Sequence, residues 1–352
     1  MANNMNSKYI FAHSELERFS REAFIRAGFS REHADIIAMC LVYANLRGVD
    51  SHGVVRIPLY IEGIRRGDIN TRPSLSIARE TSFSLLIRGD RTLGFIPALE
   101  ATRRAILKAR EAGISVVGVI DIWHLGMLAI YTREAALSGL IGIAMANAAP
   151  NIGLHGFLEP VVGTNPISIA IPTGGRPIIL DMALSIAARG KILLAAKRGE
   201  RIPVGWALNN RGEDTTDPWE ALEGMLLPIG LHKGFGLAMI IDIISGILLG
   251  GRYGLEIERV WYSQGGFFML VMRPDLFVNY KEYLRRIEEY IFRVKSIPTA
   301  SGRKILLPGE IEEDTMEKRM RDGIPLDSEV YQDLLRVAKD LGVDPPKPSN
   351  RV

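Results

Sequence analysis

The segment SFSLLIRGDRTLGFIPALEATRRAILKAREAGISVVGVI, residues 82–120, decides the fold class. It contains two short apolar runs, SLLIRGD (84–90) and ISVVGVI (114–120), separated by a stretch with helical periodicity near residues 96–111. Short apolar runs are typical of buried strands, and apolar residues repeating every three to four positions are typical of helices. The segment therefore predicts a strand, a helix and a second strand, which is the pattern of an α/β or α+β protein.

The same alternation continues along the chain. It predicts four more strands, IGIAMAN (141–147), ISIAIP (167–172), PIILDM (177–182) and FFMLVM (267–272), and helices near residues 127–138, 184–198, 233–248, 280–292 and 328–341. Ahead of this body, the N-terminal residues predict three short helices. Ser14 with Glu17 forms a capping box for the first, Ser30 caps the second, and the third runs from about Val54 to Arg66.

The composition excludes several classes of protein. Of 352 residues, 47% are hydrophobic and 24% are charged, which indicates a folded chain. The formal net charge of +3 gives no reason to expect nucleic-acid binding. A single cysteine, Cys40, excludes an internal disulfide, so we expect a cytoplasmic protein. The longest apolar stretch, Leu237–Leu249, is shorter than the roughly 20 residues of a membrane span, so we predict a buried core helix and no membrane partner.

Two histidines occupy positions where catalytic groups are expected. His52 lies in GVDSHGVVRIPLYIEG (48–63), at the start of the third predicted helix, and we expect it to titrate near neutrality. If the helix extends back to His52, Arg56 shares its face, and this pairing suits a small 2-oxo or 2-hydroxy acid. The alternative is a capping turn with an exposed arginine. His124 follows an apolar strand, where α/β proteins often place ligand groups, and the alternative is a buried histidine bonded to backbone.

The sequence contains no metal-binding pattern and no standard dinucleotide fingerprint. The only G-x-G is Gly234-Phe235-Gly236, and Met239 occupies the place of the third glycine. Lys233 and the two glycines open an apolar helix whose first N–H groups can meet a phosphate. Glycines that pack a helix closely against a sheet would give the same pattern.

Three loops offer polar side chains. Thr164 and Asn165 lie in GTNP (163–166), Asp181 ends the strand PIILD, and LPGE (307–310) is a Pro-Gly turn with a carboxylate. Each of these loops also has a purely structural interpretation.

Taken in order, these segments resemble the malate/L-lactate dehydrogenase family of the second, non-Rossmann type, which also includes ureidoglycolate, sulfolactate and diketogulonate oxidoreductases. The resemblance covers nearly the whole chain, and seven ordered blocks are far more specific than any single motif. The blocks are GVDSHGVVRIPLYIEGIRRGDIN (48–70), HLGMLAIYTREAALSGLIGIAMANAAP (124–150), GTNPISIAIP (163–172), LDMALSIAARGKI (180–192), IPVGWALNNRGEDTTDP (202–218), PIGLHKGFGLAMIIDIISGILLGG (228–251) and LPGE (307–310).

The resemblance implies an α/β (α+β) fold in two domains. A helical N-terminal domain, residues 1–75, is joined by the C-terminal segment 311–352, and a large non-Rossmann NAD(P)-binding domain, residues 76–310, carries a mainly antiparallel mixed sheet. It also implies a homodimer and NAD or NADP as the cofactor. The implied cofactor contacts are Asp181, Met182, Ala183, Lys233, Gly234, Pro308, Gly309 and Glu310.

For the chemistry, the resemblance implies hydride transfer between the nicotinamide and a small 2-hydroxy or 2-oxo acid, as in malate or L-lactate dehydrogenases. His52 ranks first as the acid–base group and His124 second. Asp181 would fix the tautomer of a nearby histidine. The substrate contacts would be Arg56, which anchors the carboxylate, with Ser51 and Thr164.

The chain departs from the family pattern at two positions. Leu125 replaces the phenylalanine that follows the histidine in many relatives, and Ala148 replaces a serine or threonine, which removes one possible hydrogen bond to substrate or cofactor. Two other functions stay open. One is a reductase of cyclic imino acids of the piperideine-2-carboxylate type, and the other is a nucleotide-binding protein that has lost catalysis.

Overall fold

The computed structural model describes residues 8–260, 262–300 and 302–351. The strands are β1 Lys8–Phe11, β2 Ser76–Glu80, β3 Ser84–Leu93, β4 Ile114–Trp123, β5 Ile141–Ala146, β6 Ile167–Ile171, β7 Ile178–Met182, β8 Ala207–Leu208, β9 Met225–Leu226, β10 Phe267–Met272, β11 Ile324–Asp327 and β12 Asn350–Arg351. The helices are α1 His13–Arg26, α2 Arg31–Leu46, α3 Ile57–Arg65, α4 Phe95–Ala112, α5 Ala129–Leu137, α6 Arg189–Arg198, α7 Pro218–Glu223, α8 His232–Ser245, α9 Tyr280–Lys295, α10 Glu310–Asp322 and α11 Ser328–Leu341.

A seven-stranded mixed sheet in the order β2-β3-β4-β10-β5-β6-β7 forms the centre of the fold. Only β3 and β4, which α4 connects, pair in parallel, and every other neighbouring pair in this sheet is antiparallel. The predicted α/β fold with a mainly antiparallel sheet is therefore confirmed, as are all six predicted strands. Alternate residues of β10 are fully buried because one face of that strand packs into the core beneath α4.

The N-terminal helices pack on the sheet in one continuous apolar core. Ser30 caps α2 as predicted, because its hydroxyl accepts the His33 N–H at 3.2 Å. The capping box at Ser14 is wrong, because α1 already begins at His13 and Ala12 occupies the cap position without a side-chain bond. At the other end of the chain, β11 pairs with β1, and α11 packs against α1 and α3.

The segment between α2 and α3 differs from the prediction of one helix from Val54. It forms two short 3-10 turns, Asp50–His52 and Val54–Arg56, and α3 begins only at Ile57. Gly53 interrupts the helix because its backbone is extended, with φ −90° and ψ −152°. His52 and Arg56 therefore do not share a helix face, and that expectation is wrong.

Three later elements also differ from the prediction. α6 begins at Arg189 rather than near residue 184, because Leu184 and Ile186 bond to neighbouring loops through their backbone N–H groups. α10 was not predicted at all. α8 is not a fully buried core helix, because only one of its faces is buried and Leu237, Ile240 and Ile243 on the other are 39%, 51% and 42% exposed.

Candidate active site

The structure brings His52 and His124 together from distant parts of the sequence. Their rings stack with centroids 5.4 Å apart and planes inclined by 29°. His52 belongs to the 3-10 turn after α2, and His124 follows the last residue of β4. The His124 N–H donates to the carbonyl of Tyr262 at 2.9 Å, which fixes its backbone beside the sheet. Two side chains able to move protons thus lie side by side.

Each imidazole has its own hydrogen-bond partners. Nδ1 of His52 lies 3.0 Å from the Ser51 hydroxyl. Nδ1 of His124 lies 2.6 Å from the hydroxyl of Tyr60, a fully buried residue of α3, and it also accepts the Gly126 N–H at 3.3 Å. Since a backbone N–H can only donate, Nδ1 of His124 carries no proton, and its hydrogen sits on Nε2.

Burial and one neighbouring cation set the protonation of both histidines. Arg56 donates from Nε to the carbonyl of Ser51 at 2.7 Å, which places its charge beside the pair. Burial, followed by Arg56, lowers the pKa of His52 to about 3. Burial, Arg56 and His52 hold the pKa of His124 well below its ordinary range. The expectation that His52 titrates near neutrality is therefore wrong for the free protein, because desolvation outweighs local helix effects.

Asp181 lies at the end of β7 and connects to the histidines through a short loop. Its Oδ2 accepts the N–H of Ala129 at 2.9 Å, and the loop from His124 to Ala129 spans the distance between them. Burial raises the pKa of Asp181 to about 6. The expectation that Asp181 fixes a histidine tautomer is not met among the described hydrogen bonds, where Ser51 and Tyr60 bond the ring nitrogens.

The implied cofactor segments meet around β7 and the residues that follow it. The Leu184 N–H donates to the carbonyl of Thr164, and the Leu184 carbonyl accepts the N–H of Ile229, both at 2.8 Å. The Ile179 N–H donates to the carbonyl of Pro308 at 3.0 Å. The loops that contain Thr164, Ile229 and Pro308 are thus joined by backbone bonds to β7 or to Leu184, which follows it, and Lys233 begins α8 shortly after Ile229.

The three glycines of these segments have different steric surroundings. A Cβ on Gly309, whose φ is +89°, would lie 2.9 Å from the Ile179 carbonyl, so the LPGE turn approaches β7 as closely as only glycine allows. A Cβ on Gly234 would lie 2.1 Å from the Ile229 carbonyl, which supports the helix-packing alternative for that glycine. Gly236 faces open space.

The other predicted cofactor residues differ in their exposure and in their contacts within the protein. Lys233 and Ala183 are exposed, and Met182 is partly buried. The carboxylate of Glu310 bonds the Leu307 N–H at 2.8 Å and pairs with Lys295. Within the described residues, no group of three metal-ligating side chains is found.

Sequence reasoning missed Tyr60 and Tyr262, which hold His124 from two sides. Tyr60 lies eight positions after His52, and its only sequence signal is a polar tip on an otherwise apolar helix face. Among the described residues, one helical stretch, His232–Leu249, is long and apolar enough to cross a membrane by length and composition alone, a test that core helices also pass.

Comparison with known proteins gives concordant matches. A family model described as malate/L-lactate dehydrogenase matches residues 11–335. The chain is 38% identical over 321 residues to the malate/(S)-sulfolactate dehydrogenase of Methanothermus fervidus, covering 90% of this chain and 94% of that one. It is 32% identical over 327 residues to the ureidoglycolate dehydrogenase (NAD(+)) of Escherichia coli K12, covering 91% and 93%. The solved structure of the sulfolactate dehydrogenase from Methanocaldococcus jannaschii superposes with a TM-score of 0.89 at 34% identity, covering 95% and 98%.

Proposed function

Because the chain belongs to the malate/L-lactate dehydrogenase family, it is an oxidoreductase that acts on a CH–OH donor with a nicotinamide cofactor, and we propose that its reaction centre is the His52–His124 pair. The reaction interconverts a small 2-hydroxy acid and the corresponding 2-oxo acid. When bound, the nicotinamide ring supplies or accepts the hydride at C2 of the substrate. The observation that carries this proposal is the stacking of two imidazoles, 5.4 Å apart, beside the Arg56 guanidinium.

His52 is the proposed acid–base group. Its lowered pKa makes the neutral imidazole the resting form, which can accept the hydroxyl proton when the hydroxy acid is oxidised. A substrate carboxylate held by Arg56 offsets the charge that lowers this pKa, so substrate binding raises the proton affinity of His52. In the opposite direction, protonated His52 returns the proton to the forming alkoxide.

His124 takes a different role in this proposal. Because its Nδ1 accepts from Gly126 and faces the Tyr60 hydroxyl, its Nε2–H is the available donor. A fixed N–H donor aimed at the substrate oxygen stabilises the negative charge that develops there. If His52 proves dispensable, His124 is the remaining acid–base candidate.

The substrate contacts follow from the same turn. We assign Arg56 to the substrate carboxylate, with the Ser51 hydroxyl beside the reacting oxygen and Thr164 facing from the β6 side. Malate and sulfolactate, which relatives act on by name, each carry a second anionic group. We therefore propose small dianionic 2-hydroxy acids as the first substrates to test.

The cofactor is proposed to lie along the end of β7. Lys233 and the first N–H groups of α8 provide positive charge and donors for a pyrophosphate, and Asp181, Met182 and Ala183 line the adjacent strand end. Pro308, Gly309 and Glu310 complete this surface. In this proposal the helical part, residues 1–75 with 311–352, supplies the acid–base group, and the body, residues 76–310, holds the nicotinamide.

We further propose a cytoplasmic homodimer. The exposed face of α8 and the following turn is apolar, with Ile240, Ile247 and Leu248 at 51%, 54% and 65% exposure. A second copy of the chain is the occupant that would bury this face. Sedimentation velocity of the wild type and of Ile240→Glu tests this, with Leu107→Glu on α4, where Leu107 is 58% exposed, as the control. A wild-type monomer that binds lipid vesicles would contradict it.

A substrate panel with His52 variants tests the proposed function. Oxaloacetate, pyruvate, sulfopyruvate and piperideine-2-carboxylate are assayed with NADH and NADPH. His52→Ala should lower kcat for oxo acid reduction by about two orders of magnitude, with cofactor binding retained, whereas His155→Ala, an exposed histidine, should have no effect. Activity on the cyclic imine alone, or tight NADH binding without any turnover, would replace the proposal by one of the two alternatives.

A further inference from the structure

One arginine of α10, Arg319, forms hydrogen bonds to the turn that carries His52 and to the end of α2. The guanidinium of Arg319 bonds both carboxylate oxygens of Asp50, at 2.6 and 3.0 Å, and it also donates to the carbonyl of Asn45. Its side chain is only 16% exposed. Arg319 and Asp50 are 269 positions apart in the sequence, so this contact joins two parts of the chain that are distant in sequence.

A second side chain, Asn45, extends the same network across the turn. Asn45 is buried, donates from Nδ2 to Asp50 at 2.7 Å and accepts the N–H of Val54 at 2.9 Å on Oδ1. Asp50 precedes His52 by two positions and Val54 follows it by two. The backbone on both sides of the imidazole is therefore fixed by bonds that converge on Asn45 and Arg319.

α10 itself has little freedom to move. Just before its first residue, the Pro308 carbonyl accepts the Ile179 N–H from β7. In its first turn, Glu313 forms a buried ion pair at 2.6 Å with Arg47, the residue after α2. Arg319 then projects from its last turns. A helix attached at β7 and at Arg47 gives the Arg319 guanidinium a defined position.

We propose that Arg319 is a positioning residue for the reaction. Through Asp50 it holds the 50–56 turn so that the His52 imidazole faces His124 and the substrate oxygen. This inference rests on the proposed role of His52. Exposed ion pairs usually contribute little to stability. A bidentate arginine–carboxylate pair with a largely buried guanidinium, however, fixes the relative positions of the two side chains as well as pairing their charges. Small displacements of a catalytic group are known to cost large factors in rate.

Arg319→Ala, compared with Arg321→Ala, tests the proposal. Arg321 lies on the same helix, is 73% exposed and pairs only locally with Asp322 in the described structure, so it is a matched control. With the best 2-hydroxy acid of the panel, we expect Arg319→Ala to lower kcat about 10- to 100-fold, with KM and NADH affinity nearly unchanged. Arg319→Lys should recover part of the loss.

Two further measurements separate positioning from a merely structural role. With substrate deuterated at C2, the isotope effect on kcat should increase in Arg319→Ala, because hydride transfer becomes slower than product release, whereas a smaller folded fraction leaves this ratio unchanged. Asp50→Asn should reproduce the loss, and the double variant should lose no more than either single one. If Arg319→Ala does not fold, Asp50→Asn and Arg319→Lys carry the same test.

The outcomes for His52 and Arg319 are distinguishable. A normal His52→Ala enzyme would move the acid–base role to His124 and remove the basis of the positioning role, while the reaction class would stand. A strongly impaired His52→Ala enzyme together with an Arg319→Ala enzyme that matches Arg321→Ala in kcat and isotope effect would overturn the positioning role alone. If the losses in kcat from Asp50→Asn and Arg319→Ala multiply in the double variant, the two residues act independently and the positioning role is also overturned.

Discussion

The turn that carries His52 has no room for a side chain at Gly53. A Cβ built there lies 2.2 Å from Oδ1 and 2.4 Å from Cγ of Asn45. Since Asn45 is only 1% exposed, it would have to move and lose its bonds to Val54 and Asp50. Each lost bond costs about 1 kcal/mol, and more where a buried group stays unpaired. We therefore expect Gly53→Ala to lower the free energy of unfolding by about 2–4 kcal/mol.

A double-mutant cycle measured by guanidinium denaturation tests this steric explanation. Asn45→Ala removes the obstructing side chain and loses the same hydrogen bonds, so adding Gly53→Ala to it should cost less than about 1 kcal/mol. Gly236→Ala is the control, because its Cβ would meet open space within a helix. If the costs of Gly53→Ala and Asn45→Ala simply add, the predicted collision does not exist and the reasoning is refuted.

Three other predictions concern the site. Because the pKa of His52 is lowered to about 3, kcat/KM for hydroxy acid oxidation, measured at saturating cofactor so that Asp181 does not contribute, should stay flat from about pH 5 to 8, and a fall centred near pH 6.5 would contradict this. Tyr60→Phe, which removes the hydroxyl at 2.6 Å from His124, should lower kcat about tenfold with a small change in Tm, measured by steady-state kinetics and calorimetry. The pKa of Asp181 is raised to about 6 in the folded protein, so the folded state binds its proton more tightly and stability is lost as the pH rises from about 4 to 6. Asp181→Asn should abolish that loss and raise the free energy of unfolding by about 1–2 kcal/mol at pH 8 after allowance for solvent screening, measured by denaturation. The same variant should bind NADH more weakly, measured by fluorescence titration.

Six of the seven strands of the central sheet could be predicted from the sequence because they are short apolar runs, whereas all five residues of β2 are exposed and give no such signal. β5 and β10 combine apolar composition with short length, and each lies between clear breaks. α10 was missed because its stability depends on charge. Glu310 and Glu312 at its start and Arg319 and Arg321 at its end match the helix dipole, but the helix offers almost no apolar periodicity.

The candidate site was only partly predictable for a related reason. His52, Arg56 and His124 are conspicuous residue types in distinctive segments, so they could be proposed one by one. Their surroundings depend on contacts across long sequence separations, such as Tyr60 to His124 and Arg319 to Asp50. The lowered pKa of His52 follows from burial, which local sequence does not report, and the break at Gly53 follows from the close approach of Asn45.

The antiparallel sheet also explains why the chain has no single glycine-rich fingerprint. A Rossmann phosphate loop needs a parallel strand followed directly by a helix, so that one turn delivers several backbone N–H groups to the same phosphate. Here β7 is an antiparallel edge strand, and backbone bonds from Ile179 in the strand and from Leu184 just after it reach three loops, around Pro308, Thr164 and Ile229. Any ligand held at this edge must be contacted by short blocks far apart in the sequence. Such a surface can therefore be recognised in the sequence only as a set of short ordered blocks, such as GTNP, LDMA and LPGE. Substitution within one block should weaken ligand binding without abolishing it.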